Sequence, residues 1–116
     1  MSILRSIILL TAVAIVAGCA NPKPTPEPLA DFHFSSLVNL NNNKSITNDY
    51  KSYILTLSSE EQKRANPIFF FEDGTGRHAV QITIGLHNKV WRHVLIYDQT
   101  DKRIRTVKYV SGDYYS

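Results

Sequence analysis

The chain predicts an α+β domain with N-terminal short helices followed by a four-stranded antiparallel β-meander. Three observations carry that expectation. Between Phe34 and Ala65 the apolar positions recur with a helical period, from Ile68 onward apolar runs are separated by short turn-forming stretches, and one of those runs alternates apolar and polar residues.

The helical half rests on Phe34, Leu37 and Val38, then Ile46, Tyr50, Tyr53, Ile54 and Leu57, with the polar stretch NLNNNK as a loop between the two groups. A strand at Tyr53 to Leu57 competes, because Tyr, Ile, Leu and Thr also suit a pleated surface; the helical spacing is preferred. Ser58-Ser59-Glu60-Glu61 has capping-box spacing from Ser58 to Glu61, so a second short helix starts there and stops at Asn66-Pro67.

Strands are expected at Ile68–Glu72, His78–Leu86, Val90–Tyr97 and Arg103–Val110, separated by DGTG, HN and DQTDK. Val80, Ile82, Ile84 and Leu86 alternate with Gln81, Thr83 and Gly85, which implies one core face and one polar face. Its neighbours are apolar on both faces. Ile68-Phe69-Phe70-Phe71 is apolar throughout, and the next strand offers Val90, Val94 and Ile96 on one side and Trp91, Leu95 and Tyr97 on the other.

If helices cover one face of the sheet, the other carries surplus aromatic surface, and hairpin register decides which residues it holds. A three-residue loop over His87, Asn88 and Lys89 aligns Val94 with Ile82 and turns Trp91, His93 and Tyr97 outward beside Gln81 and Thr83; a two-residue loop reverses this. Phe69, Phe71, Trp91, His93 and Tyr97 are therefore the candidate binding surface, since large exposed apolar patches mark contact surfaces. The opposing expectation is that Leu29–Leu40 folds over this face as a second core layer.

Signals for catalysis are scarce. His33, His78, His87 and His93 lack metal-ligand spacing, so no metal is expected. Glu72 and Asp73 face Arg77 and His78 across a hairpin lip, an arrangement that suits a solvated turn better than an acid/base pair. DGTG lacks the lysine and the strand-to-helix context of a phosphate loop, and no G-x-S-x-G elbow is present. No cofactor and no enzyme activity are expected. Lys102, Arg103, Arg105 and Lys108 make the last strand basic, either to meet an anionic partner or to protect a sheet edge from pairing. The terminal SGDYYS adds Tyr114 and Tyr115, a residue type common in binding surfaces. The net charge of +3 is too mild to argue for nucleic acid.

The N-terminus carries a different kind of information. Arg5 precedes an apolar run from Ile7 to Ala17, and no acidic residue occurs before Glu27. That run is about half of the roughly 20 residues a membrane span needs, so a signal peptide is expected. It ends at Val16-Ala17-Gly18-Cys19, which resembles the lipobox of bacterial lipoproteins, and Cys19 is the chain's single cysteine. By that resemblance residues 1–18 are removed, and Cys19 becomes the first mature residue and carries the lipid. Two or three acyl chains, at about 0.8 kcal/mol per buried methylene, hold a protein on a bilayer. The resemblance also implies that Ala20, where retained lipoproteins have Asp, sends the protein to the periplasmic leaflet of the outer membrane. Pro22, Pro24, Pro26 and Pro28 then make residues 19–28 an extended spacer of roughly 25–30 Å or a looser tether, leaving residues 29–116 as one small domain.

The function expected from these features is a non-catalytic protein-binding module on the envelope, of inhibitor, immunity or exclusion type, whose partner is an envelope or incoming protein. The alternatives are a structural accessory of an envelope or secretion assembly and a cell-wall or lipid-acting enzyme.

Overall fold

The computed structural model describes residues 27–113. A 3-10 turn at Glu27–Leu29 leads to strand β1 (Ser36–Leu37), helix α1 (Lys44–Leu55), helix α2 (Ser59–Lys63) and strands β2 (Ala65–Glu72), β3 (His78–Leu86), β4 (Lys89–Tyr97) and β5 (Arg103–Asp113). The strands form one antiparallel sheet in the order β1-β2-β3-β4-β5. The expected α+β class and the meander β2 to β5 are present. The lipobox with Cys19, most of the proline-rich spacer, and Tyr114 and Tyr115 lie outside the described residues.

The sheet has five strands where four were expected. Ser36 pairs with Glu72 and Leu37 with Phe71, and Val38 donates its N–H to the Phe70 carbonyl at 3.0 Å. The helical spacing of Phe34, Leu37 and Val38 is thus overridden by the open edge of β2, whose backbone groups need partners.

Helix α1 begins at Asn43, whose side chain accepts the Ile46 N–H at 3.0 Å. Ile46, Tyr50, Tyr53 and Ile54 recur three and four residues apart and pack on the sheet. The competing strand at Tyr53–Leu57 does not form. Helix α2 carries the expected capping box: Ser58 Oγ accepts the Glu61 N–H at 3.1 Å, and Glu61 Oε1 accepts the Ser58 N–H at 3.0 Å. It ends at Lys63, short of the expected stop, because Asn66 and Pro67 already belong to β2, at the register shift between Ala65 and Ile68. A proline is tolerated at such an irregularity because the ladder there demands no N–H from it.

The apolar stripe of α1, continued by Leu57, meets Val80, Ile82, Ile84, Leu95 and Tyr97, all fully buried; α2 itself, SEEQK, buries no residue. A second cluster, Leu29, Phe32, Ala79, Val94 and Ile96, occupies part of the opposite face.

Candidate functional site

The β3–β4 connection sets what each face presents. It is a two-residue turn at His87 and Asn88, both at positive φ (+53° and +61°), the conformation whose twist matches two antiparallel strands. Leu86 therefore pairs with Lys89 and Ile82 with His93. Trp91, His93, Leu95 and Tyr97 share the face of Val80, Ile82 and Ile84 and lie toward the helices. Their outward placement, which needed a three-residue loop, is corrected: Tyr97 is 0% and His93 2% exposed. Phe69 and Phe71 pair with Gln81 and Ala79 on the opposite face.

Two polar pairs enter the helical face, whereas the buried Nδ1 of His78, on the same face opposite Tyr97, has no hydrogen-bond partner among the described residues. The Tyr97 hydroxyl donates to Asp49 Oδ2 at 2.6 Å, and Arg103 Nε meets the same oxygen at 3.1 Å. Burial and that carboxylate push the Tyr97 phenol well above its ordinary range, so it stays a neutral donor. The Tyr53 hydroxyl and His93 Nδ1 lie 2.8 Å apart, with Arg103 stacked 5.3 Å from the Tyr53 ring. Burial, with Lys108 adding to it, lowers the His93 pKa and favours neutral imidazole. These side chains tie helix to sheet.

The opposite face divides into a covered and an open part. Leu29 and Phe32 are buried against Ala79, Val94 and Ile96, so the segment Leu29–Phe34 forms a strap across one end of the sheet. Asp31 fastens it. Its carboxylate meets Arg105 at 3.1 Å and Arg77 at 3.2 Å, and Arg105 also donates to the Pro28 carbonyl. These hydrogen bonds hold the Asp31 carboxyl at about 2. Arg77 is in turn held by Asp73, which also anchors the DGTG turn by accepting from the Thr75 N–H and hydroxyl. The cluster at the hairpin lip is therefore a structural clamp, and Gly74 and Gly76 sit at φ +86° and +95° as turn positions. The second-layer expectation for Leu29–Leu40 holds for its first residues, while Leu37 is 66% exposed.

Beyond the strap the face is open. Phe34 stacks edge-on to Phe71 with ring centroids 5.2 Å apart, and Phe34, Phe71, Gln81 and Tyr109 line a shallow hollow of about 200 Å³. Phe69, 39% exposed, flanks it through its pairing with Gln81. Arg92 lies on the same face, held by Thr83 Oγ1 at 2.8 Å and Ser111 Oγ at 3.0 Å, so a guanidinium is fixed beside aromatic surface. Of the sequence-predicted surface, then, Phe69 and Phe71 stay on the open face. Gln81 was expected on the outward face and lies there, whereas Tyr109 and Arg92 were missed; the two-residue turn signal at His87-Asn88, taken alone, would have placed Arg92 opposite Thr83.

Among the described residues no cluster of three His, Cys, Asp or Glu side chains is arranged to hold a metal ion, and no helix is long and apolar enough to cross a membrane. No known protein family matches the chain, and neither a curated protein nor a solved structure does.

Proposed function

We propose that this chain is a lipid-anchored, non-catalytic protein-binding module of the bacterial envelope, held through Cys19 on the periplasmic leaflet of the outer membrane. The anchoring part of the reading rests on the lipobox-like Val16-Ala17-Gly18-Cys19 and the proline-alternating spacer. The binding part rests on one observation, the open end of the second sheet face, where Phe69, Tyr109 and the hollow beside Phe71 lie next to a fixed Arg92. Aromatic and arginine side chains that are ordered before contact bind at low entropic cost, which is why they dominate protein interfaces.

Crosslinking of the protein in cells identifies the partner, and alanine variants then locate the contact. Phe69→Ala combined with Tyr109→Ala is expected to weaken that partner's binding by about thirtyfold, the effect of losing roughly 2 kcal/mol of hot-spot contact. Leu55→Ala, a 73% exposed position on the helical side, leaves binding unchanged. Intact binding in the double variant, or a turnover on peptidoglycan or phospholipid that a folded His93→Ala protein loses, would replace this reading with another.

A further inference from the structure

We propose that strand β5 is a docking edge for an extended acidic segment of a partner protein, which joins the sheet as a sixth strand. The two edges of the sheet differ. The β2 edge is capped at one end by β1, whereas β5 runs from Arg103 to Asp113 and pairs only with β4. Its ladder is shifted near both ends, between Val90 and Trp91 and between Ile96 and Tyr97, but is regular from Arg105 to Val110. Among the described residues no hydrogen bond reaches the outer side of that regular stretch. A straight edge with unmet N–H and C=O groups is a template for another strand.

Charge decides which strand. From Lys102 to Ser111 the chain has four cations and no acidic residue. Lys108 belongs to the helical side of the sheet, opposite His93, and Arg105 to the strap side, opposite Ile96, so both faces of an added strand would meet positive charge. A second copy of β5 brought against the first sets cations opposite cations, and like charges across a ladder repel. The same pattern attracts a strand with glutamate or aspartate at alternate positions, so exclusion of self and selection of an acidic partner come from one set of side chains. Arg103 and Arg105 are held in place by Asp49 and Asp31, which offset part of their charge, so the attraction to an acidic strand rests chiefly on Lys102 and Lys108.

This inference rests on the binding-module reading and adds the mode and chemistry of contact. Its test uses the full chain in detergent micelles, with amide exchange followed residue by residue on adding a capped nine-residue peptide that alternates glutamate with valine and threonine. Expected is slowed exchange at alternate β5 amides between Arg105 and Val110, lost at high salt, with affinity about tenfold weaker in Lys108→Glu or in Lys102→Glu. A peptide with lysine for glutamate, or one with a central proline that cannot complete a ladder, is expected not to bind. Equal binding of the acidic and lysine peptides, equal binding of the proline peptide, or absence of protection on β5 overturns the proposal. Should the peptide fail while Phe69→Ala with Tyr109→Ala still weakens the cellular partner, strand addition falls and the binding module stands.

Discussion

His93 brings two opposing demands to one residue. Its ring belongs to the buried helical face, yet it keeps a polar partner in the Tyr53 hydroxyl 2.8 Å away. The groups around it are Tyr53 from α1, Glu61 from α2 and Lys108 from β5, with Arg103 stacked on the Tyr53 ring. Burial dominates and depresses its pKa below the ordinary 6.5. The unfolded chain therefore binds a proton first as the pH falls. Stability from this residue is complete above about 6.5 and drains away as the pH drops toward the folded-state value, at about 1.4 kcal/mol for each unit of depression. Thermal melting at pH 7.5 and pH 5 should show the loss, and His93→Asn, which cannot titrate, should lower the melting temperature at pH 7.5 while flattening the pH dependence. An unchanged acid loss in that variant assigns the effect elsewhere.

At the scale of elements, the strap decides how much of the second face is open. Its hold has an apolar part, Leu29 and Phe32, and an ionic part, Asp31 between Arg77 and Arg105. The two respond differently to solvent. Phe32→Ala should cost about 3 kcal/mol in urea unfolding, with little dependence on salt, because it removes a buried ring. Asp31→Ala removes exposed ion pairs, so its smaller effect should shrink further as salt is raised. A loss in Asp31→Ala that persists at high salt would show that the carboxylate acts other than through charge. Acid should weaken the strap as well: the depressed Asp31 carboxyl lends stability above the ordinary 3.8 that fades as the pH approaches about 2.

The whole molecule is proposed to join a permanent anchor, a spacer and a domain with one face closed by helices and the other half-closed by the strap. Metabolic labelling with a palmitate analogue is expected to tag the wild-type protein and to leave Cys19→Ser untagged and unprocessed. Membrane fractionation should place the protein with outer-membrane porins, and Ala20→Asp should shift it to the inner membrane. Equal labelling of wild type and Cys19→Ser removes the anchor; a fraction unmoved by Ala20→Asp removes only the sorting argument.

What the sequence determined by itself was local. The α+β class, the four long strands, helix α1 and the capping box at Ser58 and Glu61 could all be read because each depends on side-chain period or on partners three or four residues away. Of the residues proposed as a candidate surface, Phe69 and Phe71 lie on the less covered face, while Trp91, His93 and Tyr97 lie on the helical one. Their side hinges on whether the β3–β4 loop holds two residues or three, and a strand with apolar side chains on both faces gives no local preference between the two registers. A covering layer from Leu29–Leu40 was legible only as one of two opposed expectations, and its extent and its ionic clamp belonged to tertiary structure alone. Leu29–Phe34 has no period of its own, and Asp31 meets Arg105 across 74 positions of sequence, a pairing that exists once the sheet has brought the two together.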